Sequence, residues 1–135
     1  MIGLHSKKEI GAIGEKFAAK YLRRHGYRIL ARNLHMGRNE LDLIAKDKHY
    51  LAFVEVKTRS FDSLEQAQQH RPALAVDHAK RQRTLQATRD YLHLHPTPLC
   101  PRMDVIEVYL DRSKRPRLLK INHIENAFSA SGKLR

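Results

Sequence analysis

Residues 39–45 read Asn-Glu-Leu-Asp-Leu-Ile-Ala and residues 53–59 read Phe-Val-Glu-Val-Lys-Thr-Arg, with the polar residues 46–49 between the two stretches. Both have the apolar and β-branched character of buried strands. Glu40, Asp42, Glu55 and Lys57 interrupt them. An isolated charge in such a place costs several kcal/mol, roughly, unless it is paired or binds a cation. This conflict constrains the chain more than any other feature. The two segments must lie side by side, and their pairing must bring the charges together.

Side chains alternate faces along a strand. Glu40, Asp42 and Ile44 therefore share one face, and Leu41, Leu43 and Ala45 the other. On the next strand Leu51, Phe53, Glu55 and Lys57 share a face, opposite Val54 and Val56. A hairpin with an even-length turn at residues 46–49 sets Glu40 opposite Glu55, and Asp42 opposite Phe53, diagonal to Glu55. An odd-length turn without a bulge sends Asp42 and Glu55 to opposite faces and removes the cluster.

In the even register the carboxylates crowd and raise one another's pKa unless a cation intervenes. Hard oxygen ligands suit Mg²⁺ or Mn²⁺. Asp42 and Glu55 are the expected metal ligands, with the Val56 carbonyl and waters completing the shell. Such an ion polarises a phosphate oxygen and acidifies an attacking water. Lys57 then orients or deprotonates that water, or stabilises charge on phosphorus. The same residues also satisfy a structural ion network in which Lys57 neutralises Glu55 and Asp42.

The rest of the chain frames this pair. Ser6-Lys7-Lys8-Glu9 matches a helix capping box, and apolar residues from Ile10 to Leu22 recur at helical spacing up to His25-Gly26. Gly11 and Gly14 inside that helix imply close approach of another backbone or a ligand. Strands are predicted at residues 27–33, 40–45, 50–59, 102–109 and 118–124. Residues 60–74 read as a mobile polar loop, and residues 76–93 as a second helix, capped by Asp77 and stopped before Pro96. The fold class is α/β, a mixed sheet flanked by helices in the order αβββαββ. One domain spans residues 1–125, and residues 126–135 read as a flexible tail.

With 135 residues and 41% hydrophobic content, the chain has enough apolar material for one core. Its formal net charge is +12. Residues 16–39 carry no acid but seven cations, and further basic groups lie at Lys80–Arg83 with Arg89 and at residues 112–120. A local acidic pocket in a basic surface suits an enzyme acting on a polyanion, and nucleic acid is the expected partner. The single cysteine, Cys100, excludes an intrachain disulfide and fits a reducing cytoplasm. No signal-peptide pattern or membrane-length apolar run is present. The nine histidines lack the paired spacing of a zinc site. There is no Gly-rich phosphate loop, and aromatics are sparse in the basic stretches, which favours duplex or branched DNA over stacked single strands.

Gly11-x-x-Gly14-Glu15, Gly26-Tyr27, Asn33, the 40–45 and 53–59 strands, and Arg102-x-Asp104-Val105 together resemble the YraN-like family of small bacterial proteins. The resemblance covers the chain from Gly11 to about the fifth strand. It implies a restriction-endonuclease-like fold, related to archaeal Holliday-junction resolvases. It also implies that Asp42, Glu55 and Lys57 match an Asp…Glu-x-Lys nuclease motif, and that Glu15 matches a helix-borne accessory carboxylate. By the same analogy two copies could act as a homodimer. Relatives usually carry Gly where Asn39 stands, a substitution that tolerates positive φ. Glu40 is a second accessory carboxylate. Arg38, Arg59 and Lys80 are the expected phosphate contacts; Arg59, just past the motif strand, is a better candidate than Lys80, for which a solvated helix face is the readier account. Arg102 and Asp104 read as structural. The expected function is Mg²⁺-dependent hydrolysis of DNA phosphodiester bonds, and the alternative is a non-catalytic nucleic-acid-binding protein that keeps the motif as structure.

Overall fold

The computed structural model describes residues 5–70 and 78–127. The chain opens with α1 (Lys7–Arg24). The Ser6 hydroxyl accepts from the Glu9 N–H at 3.1 Å, and the Glu9 carboxylate accepts from the Ser6 N–H at 3.1 Å. This capping box satisfies two donors that no helical carbonyl reaches. Gly26, at φ +87°, then turns the chain out of the helix in a conformation that a side chain would strain.

Three antiparallel strands follow: β1 (Arg28–Met36), β2 (Asn39–Lys46) and β3 (Tyr50–Ser60). Then come α2 (Leu64–Gln69) and α3 (His78–Leu94). β4 (Cys100–Leu110) lies parallel to β3, and β5 (Leu118–Ile124) returns antiparallel to β4. The five strands form one sheet in the order β1-β2-β3-β4-β5. This is the expected mixed α/β architecture, with one addition. The stretch expected to be a loop contains α2, because the Ser63 hydroxyl accepts from the Gln66 N–H at 3.2 Å and Ala67 is buried. A cap and one apolar anchor suffice to wind a glutamine-rich segment. Residues 71–77, with the expected Asp77 cap, lie outside the described residues.

The sheet is covered on both faces. Ala18, Ala19 and Leu22 of α1 pack with Leu43, Ala45, Val54 and Ile106. Leu85, Ala87 and Tyr91 of α3 pack with Ile44, Leu51, Phe53 and Val105. Of the two helix glycines, only Gly14 meets a neighbour. A Cβ there would lie 1.9 Å from Thr58 Oγ1 and 2.9 Å from Thr58 Cβ, whereas a Cβ at Gly11 would meet nothing within 4 Å. Asn39 does not take positive φ; that conformation falls to Gly37 in the β1–β2 turn and to Asn33.

A buried polar network ties α1 to the far strands. Asp104, fully buried, accepts from Arg102 at 2.9 and 2.8 Å and from the Asn126 N–H at 3.0 Å, and lies 2.7 Å from His123 Nε2. His123 Nδ1 reaches the Tyr21 hydroxyl at 3.2 Å. Burial pushes the Asp104 carboxyl up, but His123, Arg102 and the Asn126 N–H outweigh it and hold the group below its usual range. Ala127 is buried, and its N–H donates to the Met103 carbonyl at 2.7 Å. The first two residues of the expected tail are thus part of the folded domain. Among the described residues, no helix is long and apolar enough to cross a membrane.

Candidate active site

The turn between β2 and β3 sets the site. Asp47 accepts from the N–H groups of His49 at 2.9 Å and Tyr50 at 2.8 Å. This carboxylate-capped turn closes the hairpin so that Lys46 pairs with Leu51 and Leu43 with Val54. The turn has even length, as expected, but the register lies two residues from the expected one. Glu40 does not sit opposite Glu55, nor Asp42 opposite Phe53, because Phe53 pairs with Ile44. A two-residue slip preserves faces. Continued by one step, the register puts Asp42 directly across from Glu55.

That step is not taken as a ladder. Pairing between β2 and β3 ends at Leu43 and Val54, and the strands fork. At the same level in β1, Asn33 takes φ 47° between the pairs Arg32–Leu43 and Leu34–Leu41. The expected alternation slips here. Leu41 packs with Ile44 in the α3-side cluster, while Leu43 and Ala45 pack on the α1 side. Asp42 turns into the fork, where its Oδ2 accepts the Val56 N–H at 2.9 Å.

The electrostatics follow from this placement. Burial raises the Asp42 pKa, the Val56 N–H opposes it, and the nearby Glu15 and Glu55 add to the rise against Lys80. The net result is about 6. Glu15 reaches the same neighbourhood from α1. Its carboxyl is also raised, first by burial and then by Glu40, while an Asn33 hydrogen bond and Arg32 oppose the rise. Glu55 is ion-paired with Lys80 of α3. The fork thus gathers Asp42, Glu55, Glu15 and, at its exposed edge, Glu40.

A void of about 30 Å³ lies between Asp42, Glu55, Lys80 and Thr84. That is roughly the volume of one water. It opens beside a wider cleft of about 270 Å³ walled by Arg38, Lys80 and Arg83, with Glu40 and Asp42 on its floor. No three of the described His, Cys, Asp and Glu side chains converge closely enough to hold a metal alone. Asp42 and Glu55, which both line this void, nonetheless match the one or two carboxylates that a hard divalent ion takes from protein while it keeps most of its waters.

A family profile described as "Uncharacterised protein family UPF0102" matches residues 14–108. The chain belongs to family UPF0102. It is 42% identical over 124 residues to a UPF0102 protein of Caldanaerobacter subterraneus subsp. tengcongensis, covering 91% of this chain and 97% of that one. A UPF0102 protein of Chlorobium phaeobacteroides is 40% identical over 124 residues, covering 90% and 94%. One from Chlorobaculum tepidum is 40% identical over 133 residues, covering 96% and 99%. The membership agrees with the YraN-like resemblance, and the matched span contains the whole fork.

Not every expected site residue of this UPF0102 protein stands at the fork. Lys57, two residues past Glu55, lies outside the lining of both clefts and makes no ion pair with a described residue. In register it neighbours Glu107 of β4. Arg59 is held by that same residue: its Nε lies 3.3 Å from Oε2 of Glu107, a fully buried carboxylate that also accepts from the Tyr109 hydroxyl at 3.2 Å. Arg38 and Lys80 do line the cleft. Arg83 lines it too and was not singled out. It stands three residues after Lys80 on one helix face, and that spacing was the available signal.

Proposed function

We propose that this UPF0102 protein is a Mg²⁺- or Mn²⁺-dependent nuclease-type protein that binds DNA, branched DNA included, and hydrolyses its phosphodiester bonds. One observation carries the reading. The sheet forks where Asp42 and Glu55 stand, placing two carboxylates beside a cleft with cationic walls. Asp42 and Glu55 would hold the ion. When bound, the ion supplies polarisation of a phosphate oxygen and a water of lowered pKa. Holding the ion would release Glu55 from its pair with Lys80, whose ammonium would then be available to a phosphate. Arg38 and Arg83 fix the DNA backbone. Glu15 and Glu40 orient water at the rim. Lys57 swings from its position beside Glu107 to stabilise charge developing on phosphorus.

A second reading has its own support. Glu55 already has Lys80 as partner, Asp42 has the Val56 N–H, and Lys57 lies off the cleft. A nucleic-acid-binding protein without catalysis would use the same residues as a structural network. The test is cleavage of labelled duplex, single-stranded, flap and four-way-junction DNA with Mg²⁺ or Mn²⁺, by the wild type and by Asp42→Ala. Metal-dependent cutting lost in the variant, with DNA binding retained, supports the nuclease. Equal binding and no cutting by either protein, under both metals, supports the second reading.

A further inference from the structure

A cleft wider than the one at the carboxylates lies elsewhere on the described residues. About 410 Å³ in volume, it lies between α1 and the turn joining β4 to β5. α1 covers the sheet face opposite α3, so this cleft and the Lys80–Arg83 wall belong to different sides. Ile13, Phe17 and Pro116 make its lining mostly apolar. His5 joins the two walls, its Nε2 lying 2.7 Å from the Lys114 carbonyl.

The rim is cationic: Lys16 and Lys20 from one wall, Lys114 and Arg115 from the other. All four are exposed, and none makes an ion pair with a described residue. Four unneutralised cations around an apolar floor define the complement: an anionic segment that also carries bulky apolar side chains. Nucleic acid meets only half of this. Its phosphates would suit the rim, but its polar base edges would lose water against a floor with few partners to offer. The chain's own ends do not complement the rim either. Residues 1–4 and 128–135 contain no acidic side chain.

We infer that this cleft is a docking site for an acidic peptide segment of a partner protein, with apolar side chains seated on Phe17 and Ile13 and carboxylates on the lysine rim. Such a site would bring the proposed nuclease centre to a protein already on DNA, while leaving the α3-side cleft open.

The test is fluorescence anisotropy of the full chain with a labelled hexapeptide of four aspartates followed by leucine and phenylalanine. The wild type should bind it. Lys16→Glu with Lys114→Glu, both on exposed side chains, should weaken binding at least about tenfold. Replacing the peptide's leucine and phenylalanine by serine should weaken it about as much, and that change leaves the protein untouched. Equal binding of hexa-aspartate would reduce the cleft to a charged surface and overturn the inference. So would unchanged binding by the double variant. If the hexapeptide does not bind, while the double variant loses affinity for duplex DNA or for anionic vesicles, or loses a dimer seen by sedimentation, the occupant is one of those and not an acidic peptide.

Discussion

Asp42 is the residue on which the site turns. Its carboxyl titrates at about 6 against a usual 3.8, with burial the leading cause. The folded state therefore holds the proton more tightly than the unfolded chain. The stability this proton confers is complete below pH 3.8 and is lost as pH rises through about 6. At pH 8, without metal, ionised Asp42 is a net cost to the fold. Asp42→Asn keeps an oxygen for the Val56 N–H and should raise Tm by roughly 3–6 °C at pH 8 in chelator. The gain should vanish at pH 4. A thermal melt at both values checks this, and a fall in Tm at pH 8 would mean that the ionised carboxylate is a stabilising member of a network. Lys80 gives the companion prediction. Its ammonium competes with a metal for Glu55, so Lys80→Gln should tighten Mg²⁺ binding by roughly two- to fivefold, the worth of a partly exposed ion pair. Titration calorimetry reads this directly, and weaker Mg²⁺ binding would count against Glu55 as a ligand.

At the scale of elements, α1 is seated on β3 through one glycine. Gly11 and Gly14 carry no sequence mark of which one is packed, because each is a helix glycine that follows an isoleucine. Only the docking angle of α1 decides that Gly14 meets Thr58. A Cβ at Gly14 clashes with every atom of the Thr58 side chain, so rotating the hydroxyl cannot relieve it. Gly14→Ala should cost about 1–3 kcal/mol in urea unfolding, and Thr58→Ala in the same chain should recover part of it. Gly11→Ala should be neutral or slightly stabilising. Equal losses at both positions would show that helix propensity, not the contact, sets the cost. α2 teaches the converse lesson. A serine cap and one buried alanine outweigh a polar composition that reads as loop.

For the whole molecule, the Asp104 network is the tie that crosses the most chain. It joins α1 through Tyr21, β4 through Arg102, β5 through His123, and the segment after β5 through Asn126. Asp104 has a depressed pKa in the fold. The stability it confers is present above its unfolded value near 3.8 and is lost as pH falls through the lower folded value. Asp104→Asn should therefore cost about 3 kcal/mol at pH 7, since it leaves Arg102 buried without its main partner. The deficit against wild type should shrink below pH 4. Urea unfolding across that range measures it, and a pH-independent deficit would point to packing instead of charge.

The capping box, the strand pair, the expected order of elements and the family resemblance were all legible in the sequence, because each is written in local spacing or in residue type. The parity of the hairpin was legible too, since a one-residue slip would have sent Asp42 and Glu55 to opposite faces. Tertiary structure alone decided the rest. A two-residue slip leaves every face unchanged, so only the Asp47 turn could choose the register. The fork at Asp42 arises where β2 and β3 part beyond the Leu43–Val54 pair. The partners Lys80 for Glu55 and Glu107 for Arg59 come from elements distant in the chain. Such contacts are set by how helices and strands pack against one another, and no periodicity within a segment records them.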